Sequence, residues 1–163
     1  MAVQFLKKAT KNATTGEDNT REIVSTMLAE IEAGGEDRCV AYAKQLDNYE
    51  GNIIVTEDEI AAAGDQLSQQ TKDDIRCAYD RVYGFALKQR EALVDFETEL
   101  SPGLWAGQRQ IPMQAAGCYV PGGRYAHVAS AIMSIGTAKA AGVDHVIACS
   151  PPKAGVGVHA GIL

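Results

Sequence analysis

Apolar positions in the first third of the chain recur at helical rather than alternating spacing. In "NTREIVSTMLAEIEAGGED", Ile23, Met27, Leu28 and Ile31 mark one face of a first helix that Asn19 or Thr20 can cap. Gly34 and Gly35 end it, since glycine readily takes the left-handed conformation past a helix end. A shorter helix follows, with Cys39, Tyr42 and Leu46 on one face. "NIIVT" reads as a short β-type run, and Thr56 and Glu59 then stand at capping-box spacing for another helix. From about Ser68 to Arg90 the pattern predicts one long helix. Its apolar stripe is Ile75, Tyr79, Val82 and Ala86, interrupted by Gly84.

The texture changes at "VDFETELSPGLWAGQRQIPMQAAGCYV". Pro102-Gly103 marks a turn, and the flanking runs suit strands. Pro121-Gly122-Gly123 then breaks the chain. "AHVASAIMSIGTAKAAG" resumes as a small-residue helix closed by Gly142, and "HVIACS", bounded by Pro151-Pro152, reads as a buried strand. Strand, turn, helix and strand over roughly 35 residues make one βαβ unit, the building block of parallel sheets. A single such unit gives its strands few neighbours, and the chain stops at "VHAGIL", so the expectation is a truncated protein.

Composition narrows the function classes. The chain has 163 residues, 46% hydrophobic and 22% charged, as ordinary globular proteins do. A net charge of -6 argues against a surface for nucleic-acid phosphates or anionic lipid. No run reaches the roughly 18 apolar residues of a membrane helix. Residues 1–18 read as a polar lead without a signal-peptide core, which suggests a cytoplasmic protein. Cys39, Cys77, Cys118 and Cys149 are too far apart for a zinc-ribbon pattern and read as reduced, mostly buried thiols. Trp105 with Arg109 is poor support for nucleic-acid stacking, and hairpin packing is the simpler role. Glu57, Asp58 and Glu59 complement a helix dipole. Cys118 has no base near it in sequence, and His127, His145 and His159 match no local zinc motif.

The turn "GCYVPGGRYAHVASA" is where chemistry is expected. A βα turn at the C-terminal end of a parallel strand commonly binds ligands, and glycines there let a ligand approach backbone N–H groups. The motif is neither GxGxxG nor a P-loop. On spacing alone, a turn required only by chain geometry explains it equally well.

"GCYVPGGRYAHVASAIMSIGTAKAAGVDHVIACSPP" resembles the histidinol dehydrogenase family, with its Gly-x-Tyr-x-Pro-Gly-Gly turn, small-residue helix, Ala-Gly-Val step and strand ending in Pro-Pro. The upstream "YAKQLD" segment, the T-x-x-E-I helix and the Pro-Gly hairpin follow the family's order. The resemblance covers residues 20 to 163. It implies an α/β fold: an N-terminal helical region with a β-hairpin (19–114) leading into an incomplete Rossmann-like βαβ lobe (115–163). It also implies a homodimeric, zinc-dependent enzyme that uses NAD to oxidise an alcohol to a carboxylate. Tyr119 would contact the dinucleotide, with Pro121, Gly122 and Gly123 shaping the turn. "GQRQIP…GCYVPGGRYAHVASA" looks closer to the sulfopropanediol dehydrogenase branch than to the histidine-biosynthetic one. Arg124 and His127 are then candidates for an anionic substrate, by charge-assisted hydrogen bonds. A surface arginine and a helix-start histidine are the plainer reading of both. The catalytic and zinc residues are expected beyond Leu163, so these residues alone are expected to be inactive. Histidinol dehydrogenase itself, acting in histidine biosynthesis, is the alternative enzyme reading, and an inert fragment that only binds a partner or part of a cofactor is the other.

Overall fold

The computed structural model describes residues 17–122, 125–153 and 157–163. The chain divides into two compact units, Met1–Tyr42 and Ala43–Leu163. Helix α1, Glu17–Asp47, begins before the residues expected to cap it. Asn19 and Thr20 therefore lie inside the helix, where nothing in either residue obliges the backbone to leave it. The expected break is present, because Gly35 sits at φ 57°, ψ −141° and interrupts the helical backbone.

Within Met1–Tyr42 the chain turns back on itself at that break. Glu30 and Tyr42, twelve positions apart, meet through a 2.6 Å hydrogen bond donated by the tyrosine hydroxyl. A straight helix would hold them about 18 Å apart. Arg38 donates to the same Glu30 oxygen through Nε at 2.8 Å and also through Nη2, and its guanidinium lies 4.3 Å from the Tyr42 ring centroid. The hydrogen bonds from Tyr42 and then Arg38 hold the Glu30 carboxyl below the usual carboxylate range. The bond to Glu30 raises the Tyr42 hydroxyl.

In Ala43–Leu163, Asn48 takes the left-handed conformation after α1 and Tyr49 N–H closes onto the Ala43 carbonyl. The expected β-type run "NIIVT" is not a strand. Asn52 Oδ1 accepts from Ile54 N–H at 3.1 Å and the Asn52 carbonyl accepts from the Tyr49 hydroxyl, so local turn bonds outcompete pairing. Helix α2, Glu57–Ala63, has the full capping box between Thr56 and Glu59. After a 3₁₀ turn, Gly64–Gln66, helix α3 spans Gln69–Glu91 with the Ser68 hydroxyl capping Thr71 N–H.

Strands β1, Phe96–Ser101, and β2, Leu104–Gln108, form an antiparallel hairpin around Pro102-Gly103, where Gly103 has φ 81°. Every residue of the hairpin is exposed. Trp105, expected to pack, is 59% accessible.

Strand β3, Ala115–Tyr119, then pairs in parallel with β4, His145–Cys149. Between them run α4, Val128–Ala131, a π-helical turn, Ile132–Gly136, and α5, Thr137–Ala140. One helix was expected here, and the π turn divides it. The Ser134 hydroxyl donates to the Ser130 carbonyl at 2.7 Å, and Thr137 Oγ1 donates to Met133 O and Ser134 O, which supports the widened turn. Gly136 is buried opposite Tyr79, so the small residue lets α3 come close. Gly142, φ 91°, closes the helix: its N–H reaches Lys139 O and Val143 N–H reaches Ala138 O.

The core lies around β3 and the crossover helix, where Val120 is fully buried with Cys118, Ile132 and Val143 beside it. β4 is a correction. The expected strand is present, but only Val146 in it is even half-buried. Burial needs a covering layer, and β4 has β3 as its only strand neighbour among the described residues. The thiols follow suit: Cys118 is buried and Cys39 half-buried, but Cys77 and Cys149 are exposed.

Candidate functional site

The exits of β3 and β4 lie side by side. Val120 N–H extends the ladder to the Cys149 carbonyl at 2.8 Å, and the chain then turns at Pro121-Gly122. A Cβ built on Gly122 would stand 3.0 Å from the Pro151 carbonyl oxygen and 3.1 Å from both Pro151 Cγ and Ser150 Oγ. Only a residue without a side chain fits between these backbones without displacing one of them. The parallel register therefore brings Pro121-Gly122 against the Ser150-Pro151 step that ends β4.

A cleft of about 240 Å³ opens beside this crossing. Gly122, Tyr125 and Ala126 line it from the segment after β3, Ser150, Pro151 and Lys153 from the segment after β4, and His159 and Ile162 from further along the chain. The Ser150 hydroxyl is buried and meets no hydrogen-bond partner among the described residues. Lys153 is held by a two-way backbone bridge to Gly157, with N···O distances of 2.8 and 3.2 Å. His159 Nδ1 accepts from Gly161 N–H at 3.0 Å, which puts the proton of the neutral ring on Nε2.

The sequence-expected residues divide around this cleft. Gly122 lines it, and half-buried Pro121 precedes it. Tyr119 is 65% exposed at the end of β3 and does not form a wall. His127 is exposed at the start of α4, also outside the walls. Gly123 and Arg124 lie outside the described residues. Sequence reasoning missed Ser150, Lys153 and Tyr125, and saw in His159 only a histidine that matches no local zinc motif. Their common signal is position just after a parallel strand or its turn, which becomes legible only once both strands are paired.

A nicotinamide dinucleotide was expected here, and the donor set fits part of one. Pro151 and Gly122 offer an apolar approach, and Ser150, Lys153 and His159 are the donor-bearing residues of the lining. The volume lies below the about 300–1,000 Å³ of complete small-molecule sites, so the cleft has room for one moiety rather than the whole cofactor. Zinc has no such fit: no group of three or more His, Cys, Asp or Glu among the described residues could hold a metal ion. Among the same residues no helix is long and apolar enough to cross a membrane.

The chain is similar to several known proteins. The chain is 51% identical over 164 residues to a "Histidinol dehydrogenase homolog" of Pelagibacter ubique (strain HTCC1062) and 48% identical over 163 to the "Sulfopropanediol 3-dehydrogenase" of Ruegeria pomeroyi. Both matches cover 100% of this chain and 38% of the relative. A "Histidinol dehydrogenase" of Methanosarcina mazei is 32% identical over 139 residues, 85% of this chain and 32% of the relative. The chain thus spans less than two-fifths of the length of these relatives. The crystal structure of histidinol dehydrogenase from Elizabethkingia anophelis superposes with a TM-score of 0.79 at 22% identity, covering 98% of this chain and 35% of that one, which establishes the mixed helix–strand fold. The family model described as Histidinol dehydrogenase matches residues 10–163. The chain belongs to the histidinol dehydrogenase family.

Proposed function

We propose that these residues form part of an NAD- and zinc-dependent dehydrogenase that oxidises a small polar alcohol to a carboxylate, and that their share is to seat the dinucleotide. The observation that carries the proposal is the packing of Gly122 against Ser150-Pro151, which leaves a cleft at the C-terminal ends of two parallel strands. Ligands of α/β folds collect at that position, and the β3–helix–β4 unit is the start of a Rossmann-like lobe in this reading. Pro121 and Gly122 shape the approach, and exposed Tyr119 offers an aromatic face to the cofactor, with Gly123 completing the turn. The dinucleotide, when bound, supplies the hydride acceptor. These residues orient it and keep one side of it out of water. Proton removal and zinc binding are assigned to the rest of the protein, which is cytoplasmic and homodimeric in this reading. The 163 residues alone bind without turning over.

The substrate we favour is 2,3-dihydroxypropane-1-sulfonate. The support is the 48% identity to a protein named sulfopropanediol 3-dehydrogenase, against 32% to one named histidinol dehydrogenase. Arg124 and His127 are the candidate partners of the sulfonate in this reading. The protein expressed from the complete gene is assayed for NAD reduction with the sulfonate diol and with histidinol. Turnover of the diol alone, with a raised KM in Arg124→Ala, is the expected result. Turnover of histidinol alone replaces the substrate, and turnover of neither sinks the enzyme reading.

A further inference from the structure

We infer that Ser150, Lys153 and His159 form an oxyanion subsite in the cleft, one that takes a phosphate of the bound dinucleotide. The inference rests on the dinucleotide reading above. Three observations on the cleft converge on it.

The first is the Ser150 hydroxyl, buried and without a protein partner among the described residues. Buried hydroxyls are satisfied almost without exception, so this oxygen has a bond left to give to a group seated against it. The second is Lys153. Its backbone is pinned at both N–H and C=O by Gly157, so the root of the side chain is fixed at the cleft wall. It makes no ion pair among the described residues, in a chain whose net charge is -6. The third is His159, whose Nδ1 is already occupied by the Gly161 amide, so its remaining nitrogen is the donor.

Three donor-bearing residues, Ser150, Lys153 and His159, therefore line one small space. No carboxylate lines it among the described residues. Carboxylates compete with anions wherever a site is built for a cation or a sugar hydroxyl, and the described lining holds no such competitor. A tetrahedral oxyanion uses three donors approaching from different directions, and lysine suits it as a point charge. Both a dinucleotide phosphate and the substrate's sulfonate have this chemistry, and we assign the dinucleotide because Gly122, Pro151 and Ser150 adjoin the same cleft.

The test is calorimetric titration of the 163-residue chain and its Lys153→Ala and Ser150→Ala variants with adenosine, ADP and 2,3-dihydroxypropane-1-sulfonate. Circular dichroism melting confirms that each variant folds. Because Lys153 is exposed and its backbone bridge survives truncation, Lys153→Ala keeps the fold. The expected result is about a tenfold weaker ADP affinity in Lys153→Ala, adenosine unchanged, and a difference that shrinks as salt rises. If the sulfonate weakens instead of ADP, the subsite stands and the substrate is its ligand. If wild type and variants bind both anions alike, or wild type binds neither, the subsite is overturned. Adenosine separates the two failures: binding of adenosine with no effect of Lys153 sinks only the subsite, whereas loss of both adenosine and ADP binding in wild type sinks the dinucleotide reading as well.

Discussion

Replacing Gly122 with alanine adds one methyl group at the crossing of the two strand exits. That methyl would lie 3.0–3.1 Å from three atoms, two of them the carbonyl oxygen and ring carbon of Pro151. Neither can swing aside as the end of a flexible chain could, so one backbone must move by a few tenths of an ångström. Overpacking of this kind costs about 1–3 kcal/mol. For a chain of this length each kcal/mol lowers the melting temperature by about 2–4 °C, so a fall of about 2–12 °C is expected. Gly64→Ala is the control, since Gly64 lies at φ −56° with no atom within 4 Å of a built Cβ. There the same change is neutral or stabilises by about 0.4–1 kcal/mol through the unfolded state. Urea denaturation reads both, with an unchanged slope confirming that the folded and unfolded states remain comparable. Gly122→Ala should also weaken ADP binding while Gly64→Ala leaves it alone. A Gly122→Ala protein within about 0.5 kcal/mol of wild type, binding ADP normally, would refute the tight crossing and with it the origin of the cleft.

Two further outcomes follow from other parts of the chain. Glu30's folded pKa is depressed, so its stabilisation of Met1–Tyr42 is complete above the unfolded glutamate value and lost as pH falls through the folded one. Tyr42 is raised, so its share persists below the unfolded tyrosine value and is lost as pH rises through the folded one. Helix content of α1 should fall at both extremes, and Glu30→Gln should flatten the acid limb; an unchanged limb contradicts the cluster. Among the four thiols, Cys77 and Cys149 should react rapidly with a disulfide reagent and Cys118 only on unfolding, so rapid labelling of Cys118 at native pH would show that the β3 core is misassigned.

The parts of this fold legible in the sequence are those decided within a few residues. Thr56 and Glu59 announce their capping box, Ser68 its helix, and Gly142 its helix end, because each signal is a local hydrogen bond or a dihedral angle. "NIIVT" misleads because β propensity reflects packing on a sheet, and Asn52 offers its neighbours a local bond instead. "HVIACS" is apolar enough for a buried strand, yet burial is decided by what else lies against it. The π turn is supported by hydroxyl bonds from Ser134 and Thr137 that an unbroken helix can also make, so their residue types alone do not announce it. At the site, Pro121-Gly122 could be read directly. Ser150, Lys153 and His159 could not, since only strand register brings them to one cleft.

That register also sets an order of assembly. Every pair in the β3–β4 ladder, from Ala115 with His145 to Tyr119 with Cys149, joins positions thirty apart. The β1–β2 hairpin, by contrast, closes around a two-residue turn and needs no other part of the chain. Long closures carry an entropic cost before any contact rewards them, so parallel ladders form late unless the intervening segment is already compact. The interrupted helix over 128–140 is that segment, and mutations that strengthen it should accelerate folding more than mutations on either strand. On a ribosome the cleft cannot exist until His159 has emerged, well after the hairpin has closed. The cleft is thus the last piece of Ala43–Leu163 to be completed, and the first to be lost when the crossover helix loosens.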